Sequence, residues 1–170
     1  MHVKSFEIAR LTEEPGLSKT IAALQFAFWG PLTGYGSAPD YEQFLCRTAR
    51  SSQLPEVLVA RRGTTFLGSV NLLASEMTVR PALSPWMAQL FVPAAERSRG
   101  IGNALVDAAV ARTAELGYRR LYLYTSGALP GYYAARGWQP IEELEYLGKM
   151  RVIMAYELPH HSDQGTIKLS

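Results

Sequence analysis

The chain has 170 residues, 17 Lys and Arg against 15 Asp and Glu, a net charge of +2, and a composition 48% apolar and 19% charged; this excludes a disordered or fibrous chain and fits one domain with a sizeable core. Its three histidines, His2, His160 and His161, sit near the ends, and Cys46 is its one cysteine, so a Ser-His-Asp or Cys-His constellation, an intrachain disulfide and a His- or Cys-based metal site are all excluded. Scattered arginines argue against a nucleic-acid surface, and the longest apolar stretch, Ile21 to Trp29 broken by Gln25, is about half of the ~20 residues that cross a membrane.

The segment MHVKSFEIARLTEEPG has no apolar run resembling a signal sequence, and with a lone cysteine the expected compartment is the cytoplasm. A strand is predicted over His2 to Leu11, ended by Pro15-Gly16, and then a helix with Leu17, Ile21, Leu24 and Phe28 on one stripe, stopping at Gly30-Pro31. After the turn residues PLTGYGSAPD, Asp40 with Gln43 resembles a capping box, and Tyr41, Phe44, Leu45 and Thr48 mark a second helix. VLVA at 57–60 and FLGSVNLL at 66–73 read as an antiparallel hairpin, followed by a long connection from Ala74 to Pro85 and the strand WMAQLFV. The longest helix follows, with Gly102, Leu105, Val106, Ala109, Thr113 and Leu116 on one stripe and Gly117 as its C-cap. LYLYT at 121–125, a small helix near Leu129 to Arg136 and strands around Trp138 to Glu145 and Arg151 to Leu158 complete a mixed α/β domain over 1–158, with a polar tail over 159–170.

The informative stretch is QLFVPAAERSRGIGNALV, where Arg97-x-x-Gly100-x-Gly102 stands between a strand and the first turn of a long helix. Ser98 to Asn103 would present backbone amides at the positive end of the helix dipole, an arrangement suited to a pyrophosphate, with Arg97 and Arg99 adding charge-assisted contacts. A Walker loop fails because Asn103-Ala104 follows Gly102, and a dinucleotide fingerprint is weakened because Leu105 replaces its third glycine. A glycine-started helix with no ligand stays open beside these.

With Tyr133-x-x-x-Gly137-Trp138 added, the order strand LFV, ERSRGIG, helix, strand LYLY resembles the GNAT superfamily of acetyl-CoA-dependent N-acetyltransferases, over about residues 3 to 158. The resemblance implies a mainly antiparallel central sheet with a parallel strand-helix-strand core, flanked by helices. It implies acetyl-CoA as acyl donor, with Arg97, Ser98, Arg99, Gly100, Ile101, Gly102 and Asn103 on the pyrophosphate and Leu90, Phe91 and Val92 along the pantetheine arm as if it were an added strand. It further implies strands parting near Leu90 and Tyr124, and an amine acceptor attacking directly in a ternary complex. Tyr133 matches the family tyrosine that faces the CoA sulfur and is the expected general acid toward the departing thiolate, with Tyr132, if the helix register shifts by one, and a purely packing role as its alternatives.

Family members often use a glutamate as general base, and WMAQLFV contains none; Glu76, at the end of FLGSVNLL, is the first candidate, with a solvated loop carboxylate as its plain alternative. Gln89 could position a water, and Glu142, Glu143 and Glu145 read as a solvated strand edge. Trp29, Tyr35 and Trp86 could wall an acceptor pocket, although Trp29 and Trp86 also read as core residues, as do Tyr122 and Tyr124. No metal, nucleic acid or membrane partner is expected. Dimers are frequent in the resembled family, and the last two strands offer pairing edges. Two rivals stay open: a longer acyl-CoA as donor, and a CoA-binding regulatory module without catalysis.

Overall fold

The structure is a computed structural model that describes residues 6–13, 15–33, 35–48 and 54–159. His2, His160 and His161 lie outside these, as does the predicted tail apart from Pro159. The strands are β1 (Glu7–Arg10), β2 (Glu56–Arg62), β3 (Thr65–Leu73), β4 (Trp86–Phe91), β5 (Arg120–Thr125), β6 (Gln139–Tyr146) and β7 (Lys149–Glu157), and the helices α1 (Ser18–Trp29), α2 (Ala38–Thr48), α3 (Ile101–Glu115) and α4 (Leu129–Ala134). The sheet order is β1-β2-β3-β4-β5-β7-β6. Pairs β1–β2, β2–β3, β5–β7 and β7–β6 are antiparallel, and β4–β5 is parallel with one register position, Trp86↔Tyr122. The fold is therefore the expected mixed, mainly antiparallel sheet with helices. One expectation fails: β7 is paired on both sides, so of the last two strands only β6 is an edge.

Two compact units divide the chain, Met1–Leu73 with Gln89–Ala109 and Ala74–Ala88 with Val110–Ser170. In the first, α1 buries Ser18, Ile21, Ala22 and Gln25, whereas Leu24 and Phe28 of the predicted stripe are exposed. The helix is rotated from the purely apolar reading because Gln25 has partners inside. Its Nε2 donates to Ser69 Oγ at 2.8 Å, and its Oε1 accepts from the Tyr41 hydroxyl. A buried amide with its hydrogen bonds made costs little, while an unpartnered one costs on the order of 1–3 kcal/mol. Helix α2 starts at Ala38 rather than beyond Asp40, because Ser37 Oγ accepts from the Asp40 amide at 3.2 Å and so takes the capping role assigned to Asp40.

Gly68 on β3 explains the seating of α3 in this unit. A Cβ there would meet the Phe91 carbonyl oxygen at 2.9 Å, Leu105 at 3.1 Å and Ile101 at 3.2 Å. Glycine is required by close approach, not by its dihedral angles.

In the second unit α3 ends as predicted. Gly117 is left-handed (φ 90°), its amide donates to Ala114 O and that of Tyr118 to Thr113 O, which closes the helix in a Schellman turn. The ladder of β5 on β7 (Tyr122↔Ala155, Tyr124↔Ile153) and of β7 on β6 (Arg151↔Leu144, Ile153↔Glu142) fixes which side chains share a face. Tyr122, Tyr124, Arg151, Ile153, Glu142 and Leu144 lie on one face; Leu121, Leu123, Met154 and Tyr156 lie on the other.

Candidate active site

The glycine loop lies in the first unit. Ser98 (φ 67°) and Gly100 (φ 81°) are both left-handed, flanking Arg99, a backbone pattern of anion-binding nests. The Gly100 carbonyl accepts the first helical bond from Ala104 at 3.0 Å, so the amides of Ile101 and Gly102 have no intrahelical acceptor. Val92, Glu96, Arg97, Ser98 and residues 100–103 line a concavity of about 220 Å³. Arg97 Nε donates to Val92 O at 3.1 Å, and Arg99, absent from the lining, pairs with Glu96 at 3.4 Å.

The two glycines test whether this concavity fits a phosphate group. Gly100 is fixed by its positive φ. Gly102 is not: it is helical, and a Cβ there would meet only Val92 Cγ2 at an ordinary 3.9 Å. A helical glycine costs about 1 kcal/mol relative to alanine, and since the protein's packing does not ask for it, open space before the helix end does. The residues present fit a bound anion.

Upstream, Phe91 is buried, and Leu90 and Val92 are half-buried. Gln89, within β4, is left-handed (φ 48°), which costs a non-glycine residue on the order of 1 kcal/mol or more. Two side chains hold it there: Gln25 Nε2 donates to its carbonyl at 3.4 Å and Asn71 Nδ2 to its Oε1 at 2.8 Å. Asn71 also donates to the Tyr41 hydroxyl at 3.3 Å. Gln89 is thus engaged as part of a buried network rather than held ready for a water. Trp29 packs edge-on against Phe91 (5.6 Å) and Phe28 (5.1 Å), and Tyr35 against Tyr41 and Phe44, all around the apolar core of this unit.

Glu76 and Tyr133 belong to the second unit. Glu76 is half-buried and hydrogen-bonded to Tyr124; burial pushes its carboxyl up from 4.5 to about 7, against the lowering effect of the Tyr124 bond. The Tyr124 hydroxyl is itself pushed up to about 12, by burial first and then by the Glu76 and Tyr146 charges. Its ring is enclosed by Trp86 at 6.3 Å, Tyr146 at 5.6 Å, and the Arg151 guanidinium at 5.7 Å over the ring. Trp86 is fully buried with its indole N–H donated to Leu83 O at 2.7 Å, so it backs Tyr124 instead of walling a pocket. Tyr124 is the residue that sequence reasoning passed over. The signal was there: Leu-Tyr-Leu-Tyr puts both β5 tyrosines on one face.

Tyr133 is buried, and burial followed by the neighbouring Tyr132 pushes its hydroxyl up to about 12. Its ring lies 5.0 Å from Tyr132 and 5.9 Å from Trp138, which in turn packs on Tyr156 at 5.5 Å. The Tyr133 carbonyl takes the amides of Arg136 and Trp138, and the turn runs through left-handed Gly137, where a Cβ would stand 3.1 Å from the Tyr156 ring. Tyr156 is on the face of the β5–β7 ladder opposite Tyr124.

Among the described residues no cluster of His, Cys, Asp or Glu could hold a metal ion, and no helix is long and apolar enough to cross a membrane. A model of the acetyltransferase (GNAT) family matches residues 21–138. Among solved structures, an aminoglycoside 6'-N-acetyltransferase complexed with coenzyme A aligns with TM-score 0.70 at 16% identity, over 91% of this chain and 98% of its own. An N-acetyltransferase from Staphylococcus aureus Mu50 aligns with TM-score 0.69 at 14% identity, over 91% and 99%. The yncA protein of Salmonella typhimurium, solved with its cofactor acetyl-CoA, aligns with TM-score 0.66 at 13% identity, over 93% and 96%. At such identities the likeness is one of fold. Among curated protein sequences none matches the chain. The family model spans well over half of the sequence, and the chain belongs to the GNAT family of acetyltransferases.

Proposed function

We propose that this protein transfers the acetyl group of acetyl-CoA to a primary amine by direct attack within a ternary complex. The loop Arg97–Asn103 takes the pyrophosphate through backbone amides, Leu90, Phe91 and Val92 follow the pantetheine arm, and residues 1–158 act as one N-acetyltransferase domain, working in the cytoplasm. The thioester supplies an activated acetyl group: the amine nitrogen bonds to its carbonyl carbon, the C–S bond breaks, and an amide, a free thiol and one proton result.

Glu76 accepts the proton that an ammonium must lose before its nitrogen can attack. A carboxyl at about 7 suits that task at neutral pH, since it is half deprotonated there yet basic enough to hold what it takes. Tyr133 stays a phenol and donates a hydrogen bond to the departing sulfur. With its hydroxyl near 12 and a thiol near ~8.5, complete transfer to a thiolate would run uphill, so Tyr133 stabilises the leaving group. The amine's second proton ends on sulfur and the first leaves Glu76 for solvent.

The observation that carries the reading is a half-buried carboxyl, hydrogen-bonded to Tyr124 and raised by burial to about 7, in the same unit as a buried phenol at Tyr133. The reaction needs a proton acceptor for the amine and a hydrogen-bond donor for the departing sulfur. The test is thiol release from acetyl-CoA across an amine panel, with wild type and Tyr133→Phe. Turnover by wild type and a kcat lower by about 10²-fold in Tyr133→Phe are expected. Tight CoA binding with no amine turned over would instead assign a CoA-binding module.

A further inference from the structure

On the face that carries Tyr124, three cationic and acidic side chains meet, and their pairing is uneven. Arg80 is bound by Glu142 through two hydrogen bonds, one of 2.9 Å from Nε, and this holds Glu142 below the usual carboxylate range. Arg151, half-buried on β7, has a different fate. Its Nε donates to Tyr146 O at 3.1 Å and its guanidinium lies over the Tyr124 ring, but among the described residues no carboxylate pairs with it.

The register explains why. Arg151 stands opposite Leu144 on β6, so the flanking Glu143 and Glu145 point to the other face, while Glu142, on the Arg151 face, is taken by Arg80. The strand richest in carboxylates therefore offers Arg151 none. A half-buried guanidinium without a counter-charge forfeits solvation and receives no ion pair in return. Its terminal nitrogens keep the planar fork that binds a carboxylate by two parallel hydrogen bonds.

We infer that Arg151 is the anchor for the acceptor, and that the acceptor is an amino acid whose carboxylate rests on the Arg151 fork while its amine faces Glu76. This rests on the acetyl-transfer reading of the same site and names its substrate class. Tyr124 is the common element: its ring is under Arg151 and its hydroxyl is on Glu76. One ring contact of 5.7 Å, the phenol and one O–H···O bond put the two charged groups on the order of 8 Å apart. A ligand making ordinary contacts at both ends has room for only a short carbon chain between amine and carboxylate. A peptide N-terminus or a polyamine lacks that nearby carboxylate.

The experiment compares glycine and β-alanine with glycinamide and ethanolamine in the thiol-release assay, using wild type, Arg151→Met and Arg151→Lys. Wild type is expected to favour the carboxylate-bearing amines over the others by at least about tenfold in kcat/KM. The ratio should collapse toward unity in Arg151→Met and fall partway in Arg151→Lys, which keeps the charge but loses the fork. Calorimetry of N-acetylglycine against N-acetylglycinamide, with CoA present, reads the same preference without turnover and also reports whether each variant is folded. Equal use of glycine and glycinamide by wild type, or an undiminished ratio in folded Arg151→Met, overturns the inference while leaving acetyl transfer intact. No turnover with any amine overturns the acetyl-transfer reading and this one with it.

Discussion

The loop at Arg97–Asn103 and the cluster around Glu76 bind charge in opposite ways. The loop uses backbone: two left-handed residues and a glycine whose missing side chain keeps the space before α3 open. Such amide dipoles neither titrate nor change rotamer, so the loop should hold an anion at any ordinary pH. The cluster uses side chains: the protonation of Glu76 and Tyr124 depends on burial and on one another, and the Arg151 guanidinium lies over the Tyr124 ring. In the proposed function, grip comes from the backbone and chemistry from side chains. The loop should accordingly fail through bulk, and the cluster through loss of a proton or of a hydrogen bond.

The largest effect is expected at the loop. Gly100→Glu puts a carboxylate and a side chain where the proposed pyrophosphate would lie, at a φ that strains any L residue. CoA affinity measured by calorimetry should fall by about 10³-fold or more, while circular dichroism shows a folded domain, because the added Cβ meets no protein atom within 4 Å. Unchanged affinity would remove the pyrophosphate assignment.

Next in size is Glu76→Gln, which tests the titrating half. In wild type kcat/KM should rise as pH increases through about 7, because the base works only when deprotonated. The variant should lose about 10²-fold in rate and that limb of the profile. Stability moves the other way. A carboxyl raised from 4.5 to about 7 binds its proton more tightly in the folded state, so its contribution declines as pH climbs between those values. Thermal melts of Glu76→Gln should lack that decline and should not fall below wild type at pH 7.5. A variant that loses rate and stability together would make Glu76 a structural residue.

The two halves also differed in how legible they were. The loop is contiguous, and glycine spacing between a strand and a helix carries its meaning within seven residues; element order and the Gly117 cap were readable for the same local reason. Glu76, Trp86, Tyr124, Tyr146 and Arg151 come from five separate elements; only the register of β5, β7 and β6 says that Tyr124, Tyr146 and Arg151 share a face, and only the contacts of Tyr124 bring Trp86 and Glu76 to them. The rotation of α1 was hidden differently. Apolar counting favours Leu24 and Phe28, and nothing local shows that Gln25 will find Ser69 and Tyr41. The left-handed turn at Gln89 depends on Gln25 and Asn71, so WMAQLFV reads as an ordinary strand until both are in place.

The smallest effect isolates the link within the cluster. Tyr124→Phe keeps the ring that packs against Trp86, Tyr146 and Arg151 and removes only the hydroxyl bonded to Glu76. That bond favours the charged carboxylate and opposes the effect of burial. Without it the Glu76 carboxyl should titrate above about 7, and the rising limb of the pH–rate profile should move to higher pH. At pH 7 the rate then falls severalfold, about as much as the loss of deprotonated base, and at a pH above the shifted limb most of it returns. Tyr124 is a positioning residue in this account, acting on the substrate through Glu76. A rate loss that is equal at every pH would mean that the hydroxyl serves the reaction in some other way, and that the cluster is no more adjustable than the loop.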